Sequence, residues 1–392
     1  MSGRHHVLLA ALIVVVGVLA AAGFARGGTE GRSAGGCRDW VAVRTYAKEI
    51  AAARPLVQKM KRAFAAPGLS VAVGANGQLV WSESCGFADR ERRRAVRRET
   101  TFRIGSVSKA LTATAAGLLA RQERLELDAE IQRYVPDFPR KQRQITPRQL
   151  GGHLAGIRHY EGREALSRTH YDSVRASLAI FKEDPLVTAP GERFFYSSYG
   201  FNLLGAAVEG AAGKPFGAAV EHTLLTPLRM RATRLDDGRA RAGRSRFYEV
   251  TSSRRAVPAP RVDLSNRFPS GGFLSTAEDL VRFGLGVTDR TFAGEETQAL
   301  LFTSQKTSGG RSTHYGFGFE VGASPFGPVA GHTGNVVGGT AFLLVHPKTR
   351  VVVALTTNIG FVTAPVAPAL GRGVPDPPAI AVPFIRRTLK AR

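Results

Sequence analysis

Cysteine is almost absent from this chain, with only Cys37 and Cys85 among 392 residues. That excludes a small disulfide-stapled scaffold and any Cys-rich zinc module. The pair permits one bridge at most, and two unpaired thiols are the favoured expectation. Acidic residues are also in short supply: 31 Asp and Glu stand against 54 Lys and Arg, a formal charge of +23. Such an imbalance can mark a nucleic-acid or anionic-envelope binder. Here the basic residues are scattered, as at Arg90, Arg92, Arg93, Arg94, Arg97, Arg98, Arg239, Arg241, Arg244 and Arg246. No RNP-like, zinc-finger or helix-turn-helix pattern accompanies them, so no specific nucleic-acid partner is expected. A solvated Arg-rich surface is the first reading, with membrane or cell-envelope association as the alternative.

Long apolar runs are missing after residue 25. The single run, Val7 to Phe24, follows Arg4 and two histidines and ends in Gly23-Phe24-Ala25. That is the order of a secretory signal peptide. At about 18 residues the run also reaches the length of a membrane anchor. The expectation is therefore export to the periplasm or cell envelope, with residues 1–25 as signal or anchor.

What is present describes an ordinary globular enzyme-sized core, 43% hydrophobic and 22% charged. Residues 26–39 are Gly-, Ser- and Arg-rich and read as a linker; residues 40–385 read as one domain. Trp40 to Phe64 has helical spacing, with Pro55 expected to kink or divide it. Leu69–Gly74 and Leu79–Ser84 read as a hairpin closed by Asn76-Gly77, since that pair tolerates positive φ. Ser106 to Arg124 is Ala- and Leu-rich without proline and reads as a helix. Residues about 125–265 read as an all-α insertion. Ala341–His346 and Val351–Thr357 return as β-branched strands, and a Pro-rich stretch leads to a helix around 380–390. Strands at both ends and helices between them predict an α/β (α+β) fold, a sheet flanked by helices with an inserted helical domain. Ser275-Thr276-Ala277-Glu278 has the form of a capping box.

The chemistry centres on Ser106-Val107-Ser108-Lys109. Residues three apart share a helical face, so the Ser106 hydroxyl and the Lys109 amine can meet. A serine hydroxyl needs a base beside it, and burial at a helix N-terminus favours the neutral amine. Taken alone, the motif fits a capped helix equally well. His153 and His159 have no partners at metal-ligand spacing, so no metal and no cofactor are expected; a supporting loop is the simpler reading.

Phe102-Arg103-Ile104-Gly105-Ser106-Val107-Ser108-Lys109, then Tyr196-Ser197-Ser198, then His332-Thr333-Gly334-Asn335 occur in that order over about 230 residues. Together they resemble the three motifs of the serine β-lactamase, class C β-lactamase and D,D-carboxypeptidase superfamily. Within it, His153-Leu154-Ala155-Gly156 and Gly271-Gly272-Phe273-Leu274-Ser275-Thr276 are similar to the group of mitochondrial serine β-lactamase-like proteins. The resemblance covers roughly residues 60–385 and implies a β-lactamase/transpeptidase-like antiparallel sheet. It implies Ser106 as nucleophile, Lys109 as base and Tyr196 as a second base, a tyrosinate favoured by the charge of Lys109. Ser198, His332, Thr333 and Gly334 would bind substrate, and the N–H groups of Ser106 and Asn335 would form the oxyanion hole.

Two positions depart from the superfamily's usual pattern. Ser198 stands where Asn is common, which shortens the reach toward a substrate amide. His332 stands where β-lactamases commonly place a Lys that binds the antibiotic's carboxylate. A neutral imidazole binds a carboxylate poorly, so peptide or amide hydrolysis through an acyl-enzyme is expected ahead of β-lactam hydrolysis. Protonation of His332 is expected to change turnover between about pH 5 and 8. β-Lactamase, D,D-carboxypeptidase and esterase remain alternatives, as does a non-catalytic binding or assembly protein. The substrate is expected to be a small peptide, amide or ester; the oligomeric state is left open.

Overall fold

A computed structural model describes residues 29–32, 37–360 and 377–391. The expected signal or anchor at 1–25 and most of the Pro-rich stretch lie outside the described residues. Among the described residues no helix is long and apolar enough to cross a membrane.

An antiparallel sheet organises the molecule. From one edge its strands run Thr29–Arg32, Arg38–Val41, Gln78–Asp89, Gly68–Ala75, Val351–Thr357, Gly339–His346, Gly327–Val336 and Glu320–Ser324. The central strands are buried on both faces, and alternate residues serve different cores. Val71, Val73, Val353 and Leu355 face the layer made by the helices Ala47–Ala63 and Val382–Lys390. Ala72, Ala354, Val352 and Leu343 face the larger core, which contains the helices Ser108–Arg121 and Ser198–Ala212. The hairpin turn is as expected, with Asn76 at φ 51° and Gly77 at φ 80°.

Several expectations need correction. Cys37 and Cys85 are joined as a disulfide. The favoured free-thiol reading fails because residues 38–41 are not helical: they pair with the Gln78–Asp89 strand and carry Cys37 to Cys85. For the same reason part of the expected linker, 29–32, is an edge strand. The helix continues from Ala47 to Ala63 through Pro55 without division. The cap of the Ala277–Val287 helix is Thr276, whose hydroxyl accepts the Asp279 N–H at 3.0 Å; Glu278 instead binds Arg98.

The insertion is helical up to residue 225 but not throughout. Arg234–Leu235 joins Phe273–Ser275 and Phe102–Arg103 in a small antiparallel sheet. Tyr248–Val250 pairs with Ala256–Pro258 and, in parallel, with Ile359–Gly360. Strands of two or three residues are too short to show an alternating pattern, which is why the sequence hid them. The first of these sheets fixes the chain just before Ser106, because the Ile104 N–H donates to the Phe273 carbonyl at 3.1 Å.

Candidate active site

Ser106 lies in a 3-10 turn, Gly105–Val107, that feeds directly into the Ser108–Arg121 helix. Gly105 has φ 50° and Gly334 abuts the Ile104 carbonyl, where a Cβ would overlap it. A Cβ on Gly105 would lie 2.8 Å from the Asn335 nitrogen. Two glycines thus let the Gly327–Val336 strand close on the Ser106 turn, with the Asn335 backbone against Gly105.

Lys109 follows one turn later and is fully buried. Its Nζ lies 3.0 Å from Ser106 Oγ, 3.2 Å from Ser198 Oγ and 2.8 Å from the Ser270 carbonyl oxygen. Burial, and next the charge of Arg267, hold its pKa well below that of a free lysine. A neutral amine has two hydrogens and one lone pair. Donation to the Ser270 carbonyl and Ser198 uses the hydrogens, which leaves the lone pair for the Ser106 hydroxyl.

The Tyr196 hydroxyl donates to Ser106 Oγ at 2.9 Å. The expected tyrosinate is corrected here: burial pushes the phenol pKa up, against the pull of the Ser106 hydrogen bond. A Lys109 that is itself neutral offers no positive charge to reverse this. Tyr196 is therefore a protonated donor at rest.

His332 is buried, only 2% exposed. Its Nδ1 lies 2.6 Å from the Thr333 carbonyl, to which it donates, and its Nε2 accepts from the Tyr315 hydroxyl at 2.9 Å. Burial pushes its pKa down to about 3. The expected titration between pH 5 and 8 is overturned, because a dry site with both nitrogens committed holds the neutral ring. Thr333 points outward, its hydroxyl donating to Glu320 Oε1 at 3.2 Å.

The two histidines read as loop support position the Tyr196–Ser198 segment directly. His153, at φ 58°, accepts the Ser197 N–H on Nδ1 at 3.1 Å, and its carbonyl accepts the Phe195 N–H at 2.8 Å. His159 accepts the Ser198 N–H on Nδ1 at 3.1 Å. Both rings are kept neutral by burial, His159 with a pKa near 4. Their lone pairs hold the segment against Ser106.

Several contributors escaped the sequence. Ser270 supplies a carbonyl, and its hydroxyl donates to Asn202 Oδ1 at 3.0 Å. Arg267 is buried, donating to Asn266 Oδ1 at 2.8 Å and to the Glu164 carbonyl at 3.0 Å. Tyr315 and Glu320 come from Tyr315-Gly316-Phe317-Gly318-Phe319-Glu320, whose alternating glycines were the available signal. A groove of about 1000 Å³ lined by Leu125, Leu127, Arg148 and Leu300 opens elsewhere and takes no part in this cluster.

The family comparison matches the β-lactamase family over residues 54–371. The human mitochondrial serine beta-lactamase-like protein LACTB is 28% identical, over 78% of this chain and 73% of its own. Penicillin-binding protein 4* of Bacillus subtilis is 24% identical over 72% of this chain and 66% of its own. Among solved structures, the D-amino acid amidase of Ochrobactrum anthropi SV3 in complex with D-phenylalanine superposes with a TM-score of 0.73. It is 20% identical and covers 88% of this chain and 99% of its own, a likeness of fold. With three-quarters and more of its length so matched, this chain belongs to the β-lactamase family and is a serine hydrolase.

Proposed function

We propose that the chain cleaves a peptide or amide bond through an acyl-enzyme on Ser106. The observation that carries this reading is the contact of the buried Lys109 Nζ with Ser106 Oγ at 3.0 Å. Lys109 takes the hydroxyl proton as Ser106 Oγ attacks the carbonyl carbon. The N–H groups of Ser106 and Asn335 face the developing oxyanion. Tyr196 hands its proton to the leaving amine as the bond breaks, and the Lys109 ammonium restores the phenol. Water then repeats the sequence on the acyl-enzyme, returning Ser106 to its free form. Ser198 steadies Lys109 and the substrate edge, while His332, Thr333 and Gly334 shape the strand along which substrate lies.

The amide preference is supported by the absence of a lysine where His332 stands and by an amidase among the structural neighbours. Labelling with a fluorophosphonate and with a labelled penicillin, each beside Ser106→Ala, tests it. Fluorophosphonate labelling that depends on Ser106, with no stable penicillin adduct, is expected. Absence of any Ser106-dependent adduct would point to the non-catalytic alternative. Ser106→Ala and Lys109→Met should each lower amide turnover by about a thousandfold or more.

Export belongs to the same proposal. The apolar run at 7–24 and the Cys37–Cys85 bridge both suit an oxidising compartment. A secreted protein whose mature N-terminus begins near residue 26 is the expected outcome, read by mass spectrometry.

A further inference from the structure

The edge of the cleft at Thr333 has the wrong charge for an anionic substrate. His332 carries no positive charge there, because it is buried with both ring nitrogens hydrogen-bonded. The Thr333 hydroxyl hydrogen, which could otherwise meet a substrate carboxylate, is committed to Glu320 Oε1 at 3.2 Å. Glu320 itself is half-exposed, so its other face is open to solvent and to ligand. Its nearest ionisable basic partner is His332 Nδ1 at 3.8 Å, a neutral ring; among the described residues no lysine or arginine forms an ion pair with it. The field of this carboxylate reaches the reacting groups, acting on Lys109, Tyr196 and Tyr315 alike. A carboxylate so placed attracts a cation and repels an anion.

We infer that Glu320 forms a cation-binding subsite beside Thr333, and that the chain hydrolyses substrates carrying an ammonium or guanidinium group near the scissile bond. The inference rests on the hydrolase reading above and narrows its substrate class. The second carboxylate oxygen and the open side of Oε1 accept the substrate's N–H groups, while Thr333 fixes the carboxylate's orientation. The same charge disfavours substrates with a free carboxylate at that position, which includes β-lactams. Glu320 acts here by selecting substrate, and no proton passes through it.

The test uses the full chain and three fluorophosphonates of matched length, ending in a guanidinium, a neutral alkyl group and a carboxylate. The second-order rate of Ser106 labelling is measured for the wild type, Glu320→Gln and Glu320→Lys. The wild type should label about tenfold faster with the cationic than with the neutral probe, and slowest with the anionic one. That ratio should collapse toward one in Glu320→Gln, invert in Glu320→Lys, and shrink in the wild type as salt is raised. Charge ratios that are the same in wild type and Glu320→Gln overturn this inference while leaving the serine hydrolase intact. No Ser106-dependent labelling by any probe overturns both.

Discussion

Two buried arginines flank the Ser106 turn, one paired with a carboxylate and the other held by neutral groups. Arg103, on the Phe102–Arg103 strand, donates from Nε to Asp236 at 2.7 Å and from Nη1 to the Val337 carbonyl at 2.8 Å. Its guanidinium also lies 4.0 Å above the Phe247 ring. Arg267 has no carboxylate among the described residues; its partners are a side-chain amide oxygen, a carbonyl and the face of Tyr160 at 4.8 Å. Both are at most a few per cent exposed. A paired charge has a short-ranged field and serves geometry. An unpaired one keeps its field, and that of Arg267 falls on Lys109 and His159.

The largest effect expected from this contrast is on stability. Arg103→Ala leaves the buried Asp236 with Arg244, at 2.9 Å, as its ion-pair partner. It also frees the Val337 carbonyl next to the Gly327–Val336 strand. The cost should be about 3 kcal/mol, at the lower end for breaking a buried pair. Urea denaturation reads it; a loss below about 1 kcal/mol would mean that the pair does not hold the turn.

Arg267→Met should do the reverse. Exchanging an unpaired buried cation for an apolar side chain of similar size costs little stability. Removing the positive charge lets the Lys109 pKa rise, so less neutral amine is present at pH 7. Amide turnover at pH 7 should fall about tenfold and recover as pH is raised toward 10, with the acid limb displaced upward. A loss of equal size at every pH would show that Arg267 only supports the fold. Glu320→Gln, by deleting a negative charge that raises the Lys109 pKa, should displace the same limb slightly downward. The effect is smaller because Glu320 is half-exposed and screened.

The contrast also explains what could be read from the chain beforehand. Ser106 and Lys109 were legible because their relation is local, one helical turn, and the Asn76-Gly77 hairpin for the same reason. Tyr196, Ser198 and the His332-Thr333-Gly334 strand came from motif order, which names residues without giving their protonation. Charge state depends on burial and on partners far away in the chain, and there the expectations for Tyr196 and His332 failed. Arg267 and Ser270 were invisible because they act through a field and through a backbone carbonyl. Cys37–Cys85 was misjudged since its pairing follows from a four-residue strand, Arg38–Val41, that straddles the expected linker and the start of the expected helix. Closing a loop with a sequence separation of 48 should stabilise the chain by about 4 kcal/mol.

The smallest effect on activity, and the sharpest separation of titration from position, concerns His332. Its folded pKa of about 3 lies below the whole range in which a free histidine titrates. The His332→Gln variant should therefore leave the shape of the pH–rate profile between 5 and 8 unaltered, whatever its level. A profile that loses a limb in that range would restore the titrating histidine that the sequence suggested. Stability should respond instead. Above about pH 6.5 the ring is neutral whether the chain is folded or not, so its share of stability is fully present. As pH falls, the unfolded chain takes up the proton and the folded one refuses it down to about pH 3. Over that window each such histidine costs about 1.4 kcal/mol per pH unit. His159, with its pKa near 4, adds to the same acid sensitivity over a narrower window. Urea midpoints measured from pH 7 to pH 4 should fall steeply in the wild type and less steeply in His332→Gln, because glutamine removes one proton from the linkage while the Thr333 carbonyl can keep a donor.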